Sequence, residues 1–496
     1  VYLVKESKRY YPNKDMLSHV IGYTGIDNQG LSGIELLYDK YLTGENGAIK
    51  YYSDAKGNKL DMAEVYNEPV PGLDVMLTVD YDIQTSIERE LDNIEDMFSP
   101  DHALAIAMDP NTGEVLAMSS RPSFDPNNYK NYSSDVLSRN LPIWMTYEPG
   151  STFKIITTAS AVEEQVVDLF KDQFYDSGSV TVSGSKLRCW KAGGHGHQTF
   201  LQVFENSCNP GFVKMGFLLG KNKLFDYIKL FGFGEKTGID LNGEGKGIIF
   251  DIGDVNDLEL STTAFGQGVS VTPIQQITAV SSIVNGGNLY KPYIMKSILD
   301  SKTGNIYQEN EKTLVRKTIS ESTTKTMRIA LESVVARGGG KVTYIDGYRV
   351  GGKTGTAQKV ENGRYLENNY IMSFMAVLPS NDPNVVLYLA IDNPKKTALL
   401  SSYTTTPFVR KILLDMINIL DIKKQPDQAL KDYEWMDKKY YEVPNVVGMT
   451  RKEAKKVLSN FEIEFAGEGD TVVEQSPSAG TRYYETGVVK LLLGNR

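Results

Sequence analysis

Apolar and polar positions change period several times along the chain, and each change predicts an element. Residues 75–80, Val-Met-Leu-Thr-Val-Asp, read as a buried strand, and residues 83–97 carry apolar positions at helical spacing, an amphipathic helix. The apolar runs 103–108 and 115–118 flank Asp109-Pro110-Asn111-Thr112-Gly113, a turn signal, and so predict a β-hairpin. Pro149 and Gly150 break the chain, after which Phe153, Ile155, Ile156, Ala159 and Val162 recur at helical spacing, placing a helix start at Ser151. Late in the chain, 373–378 and 385–391 read as buried strands and 407–419 as a helix. Residues 348–360 precede the 373 strand at hairpin distance and are expected to pair with it. Strands at both ends with helices between them predict an α+β domain whose sheet is completed late in sequence.

The ends read differently. Residues 1 to about 70 are rich in Tyr, Gly and Asp, with strand-like pieces near 47–52 and a helix-like piece near 34–41. His19 there reads as a packed or surface histidine. Residues 421–440, with Lys423, Lys424, Pro426 and Asp427, read as a charged linker running into an aromatic segment. The remainder, 441–496, is a small unit with a helix at 451–458 and strands at 461–465 and 488–493. The expected boundaries are therefore 1–72, 73–420, 421–440 and 441–496.

With 496 residues, 41% of them hydrophobic, the chain can bury several cores, and its length suggests two to four domains. A net charge of -9 without a Lys/Arg-rich run argues against nucleic acid as a partner. No run of about 18 apolar residues is present to span a membrane. No signal peptide is visible, and Val1 opens inside what reads as structure, so the sequence is expected to be a piece lacking its true N-terminus.

Four Ser-x-x-Lys patterns occur, at Ser53, Ser151, Ser183 and Ser322. Three fall in polar segments that read as turns with no apolar helix behind them. Ser151 differs because the helix it opens presents backbone N–H groups to an alkoxide and places Lys154, three residues on, along the same face. A neutral Lys154 could take the serine proton. Downstream follow Ser207-Cys208-Asn209 and Lys353-Thr354-Gly355-Thr356, completing the serine-lysine, Ser-x-Asn and Lys-Thr-Gly set of penicillin-binding proteins and class A β-lactamases. Each short motif recurs elsewhere, as Ser138-Arg139-Asn140, Lys236-Thr237-Gly238 and Lys302-Thr303-Gly304, so order and context select.

Longer stretches carry a more specific resemblance. Arg9-Tyr10-Tyr11-Pro12, His19-Val20-Ile21-Gly22 and Gly30-Leu31-Ser32-Gly33-Ile34-Glu35 resemble the pedestal of class B penicillin-binding proteins. Arg121-Pro122-Ser123-Phe124-Asp125-Pro126-Asn127, Glu148-Pro149-Gly150-Ser151, Phe231-Gly232-Phe233-Gly234, Gly266-Gln267-Gly268 and Val350-Gly351-Gly352-Lys353 are similar to their transpeptidase domain. The segments Val443-Pro444-Asn445-Val446 and Gln475-Ser476-Pro477-Ser478 resemble a PASTA domain, a module tied to muropeptide or β-lactam binding in some proteins and to spacing in others. Gly338-Gly339-Gly340 departs from the family's Gly-Thr-Gly, in a loop expected not to touch the chemistry.

The resemblance implies an antiparallel sheet with helices on both sides, and a serine D-Ala-D-Ala transpeptidase needing no cofactor for its chemistry. Ser151 would form the acyl-enzyme with release of D-Ala, with Lys154 as base. Ser207 would relay the proton and Asn209 hold the substrate amide. Lys353 and Thr354 would bind the terminal carboxylate, with Gly355 and Thr356 lining the strand and the Thr356 N–H sharing the oxyanion with that of Ser151. Stem peptides of peptidoglycan and β-lactams would be its ligands, and a membrane glycosyltransferase its partner. An extracytoplasmic site anchored by a preceding transmembrane helix, on the sporulation-specific branch, is the implied setting. Against a β-lactamase stands the lack of a Glu-x-x-Leu-Asn-like element after Ser207. Against a non-catalytic sensor stands the intact Ser151/Lys154 pair.

One cluster falls outside that chemistry. The chain has two cysteines and four histidines, yet Cys189, His195, His197 and Cys208 fall within 20 residues. Nitrogen and sulfur ligands suit tetrahedral zinc, and His195-Gly196-His197, if extended, would put both imidazoles on one face. A structural zinc ion, two free thiols and a Cys189–Cys208 disulfide are the three open readings.

Overall fold

The computed structural model describes all residues except 1–6, 51, 57, 59–64, 301, 362–363, 397–400, 432–440, 484–486 and 496. The chain divides into two units, Val1–Leu430 and Lys431–Arg496. The larger is built on a five-stranded antiparallel sheet in the spatial order Gly351–Glu361, Arg364–Leu378, Val385–Asp392, His102–Met108 and Val115–Arg121. The two hairpins read from sequence thus meet along Val385–Asp392, which is buried throughout. A central strand covered on both faces has no polar side to show, which is why it reads as one apolar run.

Alternation along that strand divides the interior. Leu387, Leu389 and Ile391 face a core shared with Ile83, Ile87, Leu91 and Ile94 of the helix Tyr81–Phe98 and with Val409, Ile412, Leu413 and Met416 of Thr406–Ile419. Val386, Tyr388 and Ala390 face the opposite core, with Ile155, Ile156 and Ala159 of the helix Lys154–Glu163 and Ile274, Ile277 and Val280 of Pro273–Val284. The Tyr81–Phe98 helix starts where Asp80 accepts hydrogen bonds from the Asp82 and Ile83 N–H groups. Helices on both sides of an antiparallel sheet give the expected α+β architecture.

The pedestal motifs hold one another. The Arg9 guanidinium pairs with Glu35 at 2.7 Å, and Asn127 bonds both the N–H and the carbonyl of Tyr11, at 3.0 and 2.8 Å. His19 is packed edge-on to Phe124 with Nε2 2.8 Å from the Val136 carbonyl, and burial lowers its pKa to about 4. The helix expected at 34–41 is broken into Gly33–Leu37 and Asp39–Leu42 by non-helical Tyr38.

Three other expectations change. The 75–80 strand is not buried: Asp74–Leu77 pairs only with Met295–Leu299, at the edge of a separate three-stranded sheet, and Met76 lies exposed. Ser322 is not in a turn. It lies in the first turn of the helix Glu321–Arg337, whose buried face includes Met327, Leu331 and Val334. That face is masked in sequence by the Ser-Thr-Thr-Lys-Thr opening. Residues 425–429, read as linker, are bonded to the larger unit: Gln428 accepts from the Gly347 N–H at 2.8 Å and donates to the Ile345 carbonyl at 2.8 Å and to that of Tyr348, while Ala429 N–H reaches Glu332 at 2.8 Å.

In the smaller unit, Glu462–Ala466 and Val488–Gly494 pair in parallel, with Thr471–Ser476 antiparallel on the other side. The helix Arg451–Val457, capped by Thr450 and Glu453, adds Ala454 to a core of Val446, Val472, Val489 and Leu491. Since that core is closed within the unit, a chain ending at Leu430 is expected to keep full covalent labelling by a fluorescent penicillin. A chain ending at Pro426 loses the Gln428 and Ala429 bonds and is expected to melt several degrees lower, for about 1–3 kcal/mol of unsatisfied buried groups. Labelling and thermal melts of the two truncations check both statements.

Candidate active site

The nucleophile candidate sits on a turn that only a special backbone allows. Gly150 has φ +55°, a Cβ there would lie 2.7 Å from the Thr356 carbonyl oxygen, and its N–H bonds the Gly266 carbonyl at 3.0 Å. Gly150–Thr152 forms a 3₁₀ turn that runs into the helix Lys154–Glu163, so Ser151 lies just before the helix proper and Lys154 at its first residue. Strand Gly351–Glu361 lies against this turn. Gly355 makes the approach possible, because a Cβ there would stand 2.3 Å from Ser373 Oγ and 2.9 Å from Thr152 Cγ2.

Lys154 and Lys353 are both fully buried and converge on one hydroxyl. Lys154 Nζ donates to Ser207 Oγ at 3.1 Å, to the Ser207 carbonyl at 2.9 Å and to Asn209 Oδ1 at 2.7 Å. Lys353 Nζ donates to Ser207 Oγ at 3.0 Å and to the Thr354 carbonyl at 3.3 Å. Among the described residues, neither lysine has a carboxylate partner. Burial therefore pushes Lys154 down to about 7, and burial with the like charge of Lys154 pushes Lys353 well below its ordinary value. The Ser151 hydroxyl has no hydrogen bond among the described residues, so its bond to Lys154 is not formed in this state. Catalytic contacts of this kind commonly tighten only when substrate is bound.

Ser207 is held in the left-handed region, φ +53°, at a cost of about 1–2 kcal/mol for a residue with a side chain. Its N–H bonds the Phe204 carbonyl at 3.2 Å and that of Cys208 bonds Val203 at 3.0 Å, so the tight turn delivers Asn209 to the start of the helix Asn209–Leu219. Asn209 Nδ2 reaches the Arg188 carbonyl at 3.3 Å. The Gly338-Gly339-Gly340 loop does touch the site, contrary to expectation. A Cβ on Gly339 would lie 3.2 Å from Thr354 Oγ1, and Gly338 packs on Glu205.

The cysteine-histidine cluster is assembled in part. Asp176, Cys189, His195 and Cys208 present ligand atoms that all lie within 4.8 Å of one another. Asp176 Oδ2 takes the His195 ring Nδ1 at 2.8 Å, the His195 N–H at 3.0 Å and the Cys208 thiol at 3.2 Å, and Cys189 Sγ is 3.4 Å from the His195 Nδ1. Burial raises the Asp176 carboxyl, but the bonds from His195 and Gly178 outweigh it and hold it well below the usual range. Both cysteines are free, which sets the disulfide aside in this structure. His197 stands outside: Gly196, with φ +73°, separates the two histidines, so the segment is not extended, and His197 is exposed against Tyr175. Asp176 was missed because one carboxylate among 62 acidic residues carries no mark in sequence. Only the pairing of Gln173–Asp176 with Gly196–Thr199 brings it in.

A sheet edge carrying Lys-Thr-Gly, packed on a helix that opens Ser-x-x-Lys and facing a Ser-x-Asn turn, defines a penicillin-recognising serine acyl-transferase. Residues 103–414 match the penicillin binding protein transpeptidase domain, 1–77 the penicillin-binding protein dimerisation domain and 441–495 the PASTA domain, and the chain belongs to the class B penicillin-binding proteins. It is 54% identical over 494 residues to stage V sporulation protein D of Bacillus subtilis, covering 99% of this chain and 76% of that one. It is 30% identical over 430 residues to the peptidoglycan D,D-transpeptidase FtsI of Escherichia coli K12, covering 86% and 69%. Penicillin binding protein 3 of Mycobacterium tuberculosis, solved in complex with aztreonam, superposes with a TM-score of 0.75 at 26% identity, over 86% of this chain and 93% of that one. The chain is a peptidoglycan D,D-transpeptidase.

Proposed function

We propose that Ser151 is the acylated nucleophile of this transpeptidase, and that the reading rests on one observation: two fully buried lysines without carboxylate partners meet at Ser207 Oγ, one of them on the helix that Ser151 opens. Two ammonium groups this close cannot both stay charged out of water. One lysine is therefore neutral and able to accept a proton. Lys154 takes it from Ser151 as Oγ attacks the carbonyl of the penultimate D-Ala of a stem peptide. Lys353, charged once the terminal carboxylate arrives, holds that carboxylate together with Thr354. The N–H groups of Ser151 and Thr356 carry the oxyanion, and the fit of Gly355 against the nucleophile turn keeps the two donors in reach. Ser207, bonded to both lysines, passes the proton to the leaving D-Ala, while Asn209 orients the substrate amide. The acyl group then moves to an amine of a neighbouring stem. A β-lactam, an amide closed on itself, leaves the acyl-enzyme with its leaving group still attached.

The likeness to stage V sporulation protein D supports a setting in sporulation; a site on the outer side of the membrane and a membrane glycosyltransferase supplying the strands complete the proposal. No helix among the described residues is long and apolar enough to cross a membrane. A structural zinc ion is the reading we favour for the second cluster. The set of two thiols, an imidazole and a carboxylate matches tetrahedral zinc, and His195 Nδ1 is the ring nitrogen that faces Cys189 Sγ and Asp176 Oδ2. Asp176, Cys189, His195 and Cys208 would hold it. Bound there, the ion supplies cross-linking of the wall that carries Ser207 and Asn209, and no bond-making.

Three outcomes follow. Ser151→Ala is expected to abolish covalent penicillin labelling with an unchanged melt; retained labelling would sink the assignment. Because Lys154 must be neutral, the fraction ready to act grows as pH rises through about 7. The acylation rate constant is thus expected to climb ~10-fold between pH 6 and 8, and a flat profile would contradict the role. Protein purified without a His-tag or added zinc is expected to hold about one zinc per chain. Cys208→Ser should lower thermal stability and slow acylation, and His197→Ala should change neither. Absent zinc, or a Cys189–Cys208 bridge in non-reducing mass spectrometry, would end the zinc proposal.

A further inference from the structure

Three residues before Ser151 stands a carboxylate that has no cation beside it among the described residues. Glu148 is half-buried, and its Oε1 accepts the Gly268 N–H at 2.8 Å. The Tyr365 hydroxyl lies 3.3 and 3.2 Å from its two oxygens. Among the described residues no Lys, Arg or His pairs with it. Several other sheltered carboxylates of the same unit are matched by cations, Glu88 by Arg121, Glu332 by Arg349 and Asp392 by Lys359, while buried Glu244 is held instead by the N–H groups of Thr237 and Gly238 and the Thr237 hydroxyl. Burial raises the Glu148 carboxyl, the sign of a charge short of compensation.

Glu148 is partly exposed and stands on the segment that leads into the nucleophile turn. Residues 147–150 run beside 266–271, tied by Tyr147 N–H to the Val271 carbonyl at 3.1 Å and Gly150 N–H to that of Gly266 at 3.0 Å. Tyr365 comes from the hairpin whose other strand carries Lys353, paired there with Val360, and is 46% exposed. Its hydroxyl is the only side-chain partner of Glu148 among the described residues, held by long bonds that an incoming group can replace.

Transpeptidation requires something that acylation does not. The second substrate is a primary amine, which at neutral pH arrives as an ammonium ion. The donor side of the site offers it no carboxylate among the described residues, and whichever of Lys154 and Lys353 is charged repels it.

We propose that Glu148 is the docking group for the ammonium of the acceptor stem, with Tyr365 as the cover that the acceptor displaces. This rests on the transpeptidase reading above and adds the acceptor subsite to it. The docked ammonium loses one proton to bulk water, and the freed nitrogen lone pair forms the C–N bond to the acyl carbon. The C–O bond to Ser151 breaks, and one of the two protons still on the nitrogen passes to the Ser151 oxygen, restoring the hydroxyl and leaving the other as the amide N–H.

Glu148→Gln tests this cleanly, because the amide oxygen can still accept from Gly268 while the charge is gone. With a thioester analogue of the stem end as donor, the ratio of aminolysis to hydrolysis is measured for two acceptors, a cationic diamino acid amide and uncharged hydroxylamine. The expected result is a loss of ~10-fold or more with the cationic acceptor. The hydroxylamine ratio and the penicillin acylation rate should both stay within about twofold of wild type. An unchanged ratio for the cation, an equal loss with hydroxylamine, or loss of penicillin acylation would overturn the proposal. Tyr365→Phe supplies a second reading: it uncovers the carboxylate and is expected to lower the concentration of cationic acceptor giving half-maximal aminolysis, and a rise would overturn the proposal as well. Failure of the transpeptidase reading itself would show separately, as wild-type protein that is never acylated by the donor.

Discussion

Everything at this site depends on two lysines that share a hydroxyl inside the protein. Lys154 and Lys353 are fully buried, both donate to Ser207 Oγ, and no carboxylate among the described residues neutralises either. An isolated ammonium out of water is costly, and two facing each other cost more. Burial therefore leaves at least one member neutral. In the proposed chemistry Lys154 is the base, and Lys353 becomes the charged receptor when the substrate carboxylate arrives.

The rest of the fold can be understood as holding that pair in place. Lys353 is fixed by a ladder in which it faces Met375, Thr354 faces Phe374 and Gly355 faces Ser373, on a strand whose neighbour is paired from Ile371 to Leu378 with Val385–Asp392. Lys154 is fixed by a helix buried over most of its surface. Ser207 is fixed by a strained turn, and Glu205, two residues earlier, accepts a hydrogen bond from Ser333 of the helix Glu321–Arg337. Strain in such a turn persists only where the surroundings over-determine it, and here Cys208, at the centre of the turn, is also a member of the second cluster.

The sequence disclosed those parts whose residues are marked by type or period. The central strands were legible because burial on both faces makes an unbroken apolar run, and Ser151, Lys154, Ser207, Asn209 and Lys353 because their order is rare even where each motif is common. What stayed hidden depends on pairing. Asp176 enters its cluster through a strand register, and His197 leaves it through the positive φ of Gly196. Gly339 lies on Thr354 because the end of a long helix reaches the Lys-Thr-Gly strand. The Asp74–Leu77 strand looked buried because its composition matches the core strands, whereas its exposure is decided by having only one neighbour. Glu148 carries no sign in sequence of being without a cation, since ion pairs are formed between distant segments.

The central claim is that burial keeps one of the two lysines neutral near physiological pH. Protein labelled with ¹³C at lysine Cε, titrated by NMR with Lys154→Arg to assign the signal, measures this directly. The account predicts one Cε resonance that titrates near pH 7 and disappears in the Lys154→Arg protein. If every lysine titrates near its ordinary value of about 10.4, the buried pair is not what drives the chemistry, and the account fails.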